Sequence, residues 1–253
     1  MIKTPPNNAC TRRVGVGAFS GSLRGLELVP AKRRCLVPPQ AGNASRSAHY
    51  LVFKIETRNS MAKLTRGEVE KILHDPNIRH SLTGADLADV DLNHMDLSSV
   101  DFRGTNLENA NLQWTNLQNV DVRGANLKHA DLRHANLLNL VLDESTQIDS
   151  KWYLVWDVYN HALPSRRDLQ GVDMSGAYLR SAYLFADLRN ADLSNCNLTA
   201  ALLRFADLRN ANLSNSDLRG ARLTVADLRG ANLTNAKLED ADLSGAVFNE
   251  DDL

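Results

Sequence analysis

Along residues 82–142 an apolar residue, nearly always leucine, stands at every fifth position without a break, and the spacing returns over 167–248. A helix places its apolar residues three and four apart, and a half-buried strand places them two apart, so neither accounts for five. Two positions before most of these leucines sits a small residue (Ala85, Thr105, Ala110, Ala125, Ala130), with Asp or Asn between (Asp86, Asn106, Asn111). On extended backbone the small residue and the leucine face one way and the Asp or Asn faces the other. The next two residues are polar, so alternation fails there and the chain has to turn. Gly124, Gly220, Gly230, Asn190, Asn195, Asn210, Asn215 and Asn235 stand second in that pair, where a type II turn needs positive φ. Each five-residue unit is thus read as a very short strand followed by a corner.

A longer period closes the coil. "FADLRNADLSN" at 185–195, "FADLRNANLSN" at 205–215 and "VADLRGANLTN" at 225–235 recur at a spacing of 20. Five residues per side and twenty per turn give four sides, with layers stacked at a strand spacing of about 4.8 Å. Leu188, Leu208 and Leu228 then form one interior ladder.

The A-(D/N)-L-x-x pattern resembles the pentapeptide repeat family over 81–142 and 167–248. The resemblance implies an all-β solenoid, a right-handed four-sided β-helix in which the leucines are the central inward residues and the alanines their small inward partners. The handedness comes from the resemblance alone.

Three stretches depart from the repeat. Within 61–80, "LTRGEVEKILHD" carries a capping box at Thr65 and Glu68 and an apolar stripe at Val69, Ile72 and Leu73, which predicts a helix of about three turns closing the first layer. Between Leu184 and Leu188 the spacing is four, which predicts a distorted corner. Residues 143–166 place Trp152, Val155, Trp156 and Tyr159 at helical spacing after an N-cap at Ser150, with Pro164 beyond the end. This reads as an amphipathic helix inserted between a first repeat block, 81–142, and a second, 167–253.

Composition and charge add an asymmetry. The chain of 253 residues is 43% hydrophobic but only 6% aromatic, so its core is aliphatic. Residues 1–60 carry a balance of +8 and residues 61–253 a balance of −9. The basic, aperiodic segment 1–60 is read as a disordered leader: an organelle- or plastid-targeting leader, a tail for nucleic acid or membrane, or an extension upstream of a start at Met61. Cys10, Cys35 and Cys196 have no metal-binding spacing and cannot all pair, which favours a reducing, cytoplasmic setting. No run of apolar residues is long enough for a membrane span.

Chemistry is sparse. The outward Asp/Asn column lacks the six or more converging oxygens that calcium takes, and hydrogen bonding to the adjacent turn explains it better. His129 and His134 fall on adjacent sides as solvated histidines, and Cys196 is inert packing. No metal, cofactor or catalytic motif is expected, and a leucine-filled column has no cleft in which catalytic groups converge. The expectation is a non-enzymatic protein-interaction scaffold, with regulation as one role open to it, working as a monomer or end-to-end dimer and not expected to bind nucleic acid. Its candidate partner-binding residues are the stacked Arg189, Arg209 and Arg229 with Asp187, Asp207 and Asp227. Trp152, Trp156 and Tyr159 on the insertion join them, either as an exposed anchor or packed on the column. The alternative, implied by relatives in the family, is a DNA mimic that binds a gyrase-type topoisomerase.

Overall fold

A computed structural model describes residues 63–75, 81–98, 100–161 and 167–249. The segment 1–60, Met61, Pro164, Cys10 and Cys35 lie outside the described residues. What is described is a β-solenoid, built almost wholly from parallel pairings between each turn of the coil and the next. In the first block the partners lie 20 residues apart on all four sides, as in Asp86 with Asn106, Asp91 with Asn111, Asp96 with Asn116 and Asp101 with Asp121. Each central residue donates its N–H to the next layer, Leu107 to Asn126 O at 2.7 Å and Leu112 to Asp131 O at 2.9 Å. Leucines at successive inward positions thus carry the same backbone bond, and a column of closely similar layers results.

The corners follow the residue that stands second in each polar pair. All eight Gly and Asn residues singled out there have φ between 57° and 72°. At one of them glycine also makes room, because a Cβ on Gly230 would push aside the side-chain oxygen of Asn210 in the layer beneath. The outward Asp or Asn closes the corner from the other side. Asp91, Asp121, Asn136 and Asn212 each accept the N–H two residues on, at 3.1–3.2 Å. Asn side chains also bond from layer to layer, Asn126 to Asn106 to Asp86 and Asn232 to Asn212 to Asp192. These columns are structural, with local turns and ladders consuming the oxygens a cation would need.

Inside, leucine after leucine is fully buried, with Phe102 and Met174 taking the same position. Buried polar residues at the small position satisfy themselves: Thr105 donates to Leu82 O and Ser216 to Leu213 O. Cys196 likewise donates its thiol to Met174 O at 3.1 Å, and burial pushes its pKa up to about 12. In the last layer Leu233, Leu238 and Leu243 are only half-buried, since nothing among the described residues stacks above them.

Helix α1 (Arg66–His74) follows Thr65 as its N-cap, and the Glu68 carboxylate accepts from both the N–H and the hydroxyl of Thr65 at 2.8 Å. Val69 is fully buried and Ile72 and Leu73 are partly so. The helix is tied to the first layer by Lys63, which pairs with Asp86 in the ladder, and by the Arg66 guanidinium on Asn93.

The first block continues past 142. Strand β1 (Asn126–Leu127) pairs in parallel with β2 (Gln147–Ile148), an offset of 21. The corner at 143–146 holds the extra residue, its N–H groups gathered on the Asp143 carboxylate. The coil thus runs to Ile148, beyond the expected boundary at 142. Helix α2 (Ser150–Asn160) then begins with Asp149 as N-cap, one residue earlier than expected. Neither residue supplies a side-chain cap; the Asp149 carboxylate instead accepts the N–H of His129 in the layer beneath.

The coil resumes at β3 (Arg167–Asp168), paired with β4 (Ala186–Asp187) at an offset of 19. The offset stays 19 through Asp173, Tyr178 and Tyr183, then returns to 20 from Asp187 onward. Phe185 alone makes the corner between Leu184 and Ala186, and it lacks the left-handed residue that every other described corner of this block contains.

Candidate interaction surfaces

The outward Asp and Arg of the second block form a ladder. In an Asp-Leu-Arg run both charged residues leave the strand on the same side, two apart, so the guanidinium folds back onto its own carboxylate. Arg189 meets Asp187 at 2.8 and 2.7 Å, Arg209 meets Asp207 at 2.8 and 2.7 Å, and Arg229 meets Asp227 at 2.9 and 2.6 Å. Between layers Arg189 lies 3.7 Å from Asp207, and Arg209 the same distance from Asp227. The bond to Arg189 holds the Asp187 carboxyl below the usual carboxylate range, and that to Arg229 does the same for Asp227. The six residues are thus brought together, but as a mutually neutralised lattice. Arg103, Arg123, Arg133 and Arg219 repeat the arrangement on other sides.

The insertion turns its tryptophans toward the column and leaves Tyr153 exposed. Trp152, Val155 and Val158 are buried, whereas Trp156 and Tyr159 are half-buried. Val158 belongs to the packed stripe although the sequence pattern passed over it. The Trp156 indole N–H donates to Leu140 O at 2.7 Å, and Asn160 donates to Leu137 O, so the helix lies on the last turn of the first block. Lys151 reaches Asp173 and Ser175 in the second block. Tyr159 stands edge-on to Tyr178, with its phenol pushed up to about 12 by burial. The helix joins the two blocks as a packed wedge.

His134 is not a solvated histidine. Its ring stacks on Trp114 at 3.9 Å, Trp114 in turn lies parallel to His94 at 6.0 Å, and all three residues stand at left-handed corners. Burial and then Arg133 lower the His134 pKa, and its Nδ1 has no partner among the described residues. Three residues at a spacing of 20 was the signal that could have revealed this stack. An open notch of about 330 Å³ lies beside it, lined by Trp114, Asn116, Asn136 and Tyr178. A crevice of about 10 Å³, room for one water at most, lies between Val158, Leu169, Tyr183 and Phe185. Among the described residues no three His, Cys, Asp or Glu groups come together as a metal site, and no helix is long and apolar enough to cross a membrane.

Sequence comparison fits this geometry to known families. The model of the pentapeptide repeat region matches residues 78–146, and that of pentapeptide repeats matches 186–224 and 226–250. The chain belongs to the pentapeptide repeat family. No curated protein matches it as a relative. Among solved structures it is similar to HetL, a family member involved in heterocyst differentiation regulation in the cyanobacterium Nostoc sp. strain PCC 7120. The identity is 30%, over 67% of this chain and 85% of that one, with a TM-score of 0.33. Similarity to Rfr23 of the cyanobacterium Cyanothece 51142 is 22% over 72% and 95% of the two chains, with a TM-score of 0.28. For QnrB1, a plasmid-mediated fluoroquinolone resistance protein, the values are 16%, 68%, 80% and 0.19. Family membership rests on the repeat matches and on the HetL sequence.

Proposed function

We propose that this column, right-handed as its family resemblance implies, is a non-enzymatic scaffold that binds a protein partner on its outer faces. One observation carries the reading: the inward positions are filled from layer to layer, so chemical variety is confined to the outward slots and corners. A repeat solenoid offers such slots as an extended surface whose residues are free to vary without disturbing the coil. HetL, described as acting in differentiation regulation, makes a regulatory role for the scaffold the natural form of the proposal.

The DNA-mimic alternative needs a continuous acidic surface. The seven in-plane Arg–Asp pairs neutralise much of it, which sets that reading second. Affinity capture from the source cell with the full chain as bait tests both. Reproducible recovery of a non-topoisomerase protein supports the scaffold. Recovery of gyrase-type subunits reverses the order, and recovery of nothing overturns the proposal.

A further inference from the structure

One side of the second block departs, over three successive layers, from the outward Asp or Asn that the other sides lack only singly. Its outward slots hold Tyr183, Leu202 and Arg222, which pair in register across three layers. None of these can accept the N–H two residues on, so the turn-closing bond of the Asp and Asn columns is absent here. The adjoining corner carries Phe185, Phe205 and Val225, again one per layer. Phe205 and Val225 sit at φ of 57° and 60°, a conformation that a bulky residue resists and a β-branched one resists more. They are also exposed, Phe205 by 60% and Val225 by 49%, as are Tyr183 by 55% and Phe185 by 39%. Residues that strain the backbone while showing apolar surface to water do nothing for the coil, and strain of this kind concentrates where function requires it.

The charges on this side differ as well. Arg204 and Arg222 are exposed and form no ion pair with any described residue: Leu202 stands where the Asp partner of Arg204 would be, and Arg222 itself occupies the outward Asp slot. The acid in the column, Asp242, is hydrogen-bonded by Thr224 and Ser244 and lies in the field of Arg204 without pairing with it. Arg204 instead lies over the Phe205 ring, 5.5 Å from its centre. An apolar ridge flanked by free guanidinium groups, on a protein whose other arginine ladders are neutralised, is complementary to carboxylates interleaved with apolar side chains.

We propose that this side docks a short acidic segment of a partner protein, its apolar side chains on Phe185, Phe205 and Val225 and its carboxylates on Arg204 and Arg222. The proposal rests on the scaffold reading and names its site. The ridge spans three layers, about 10 Å, or about three residues of extended chain. Single-stranded nucleic acid fits less well, because Tyr183 and Phe185 meet edge to face and Arg204 covers a face of Phe205. Few open ring faces remain for bases to stack on.

The test selects a random twelve-residue displayed peptide library on the full chain and titrates the enriched peptides, fluorescently labelled, alongside (dT)15. Expected is enrichment of Asp and Glu among Leu, Phe or Trp. Affinity should fall at least tenfold in Phe205→Asn/Val225→Asn, and severalfold, with a flatter salt dependence, in Arg204→Gln/Arg222→Gln. Asn adopts the left-handed corner readily, so the first variant should melt no lower than the parent and its loss of binding cannot be a folding defect. Peptides without acidic enrichment, unchanged binding by either variant, or tighter binding of (dT)15 would overturn the proposal. Undiminished capture of a cellular partner by the Phe205→Asn/Val225→Asn variant defeats this surface and leaves the scaffold reading standing. Failure of both variant and parent to capture anything defeats the scaffold reading itself.

Discussion

Two neighbouring sides of the second block share their interior and differ in everything outside it. On one, Ala206 and Leu208 point in while Asp207 and Arg209 close on each other outside. On the other, Ala201 and Leu203 point in just as completely, but Leu202 and Arg204 leave the outside open. The backbone pairings are the same on both, Asp207 with Asp227 and Leu202 with Arg222. Inward residues therefore specify the coil, and the outward slot can be reassigned one side at a time. A self-satisfied side solvates a charge lattice, while an unsatisfied side retains the capacity to bind.

That contrast can be broken first from within. Leu208→Asp should prevent the second block from folding, since it places an unpaired carboxylate among leucines; circular dichroism and limited proteolysis would show it. Leu208→Ala and Leu203→Ala should each cost about 2–5 kcal/mol in chemical denaturation, and by similar amounts, because both leucines are fully buried. Unequal costs would show that the two sides do not share one interior. Trp152→Ala should cost about 3 kcal/mol and also loosen the second block, since the helix wedge touches both blocks; a two-step melt is the expected signature. Leu202→Asp would convert the open side toward the ladder, restoring the Asp-Leu-Arg run with Arg204. It should raise stability by about 0.5–1 kcal/mol through one turn bond and one exposed pair, and it should weaken docking at Phe205. The smallest effect is expected for Arg209→Ala, with the denaturation midpoint almost unmoved, because the pair is part-exposed and Arg189 still neighbours Asp207.

The coil was legible because its determinants are local. Five-residue spacing reports the strand and corner directly, and the eight left-handed positions could be named from Gly and Asn alone. The missing corner at 184–188 was legible for the same reason, as a break in that spacing. What escaped depends on contacts between layers. His134 stacking on Trp114 and Phe205 lining up with Phe185 both require the twenty-residue period to be applied to outward residues. Read along the chain, Phe205 and Val225 are merely apolar residues in a polar pair; read up the column, they form a ridge. Val158 was missed because the buried edge of α2 is set by the two blocks it joins, and helical periodicity centred the stripe elsewhere. The extension of the first block to Ile148 follows from the pairing of Gln147 with Asn126, which no spacing announces.

The nearly uniform offset of about twenty residues between paired positions has a mechanical consequence. Each turn is held only by the turns above and below it, so tension applied at the C-terminal end loads one layer at a time. The last layer, with Leu233, Leu238 and Leu243 half-buried, is the weakest and should yield first. Each layer then releases a contour length of about 70 Å, so the column should peel in a sawtooth of equal steps until the force reaches the wedge formed by α2.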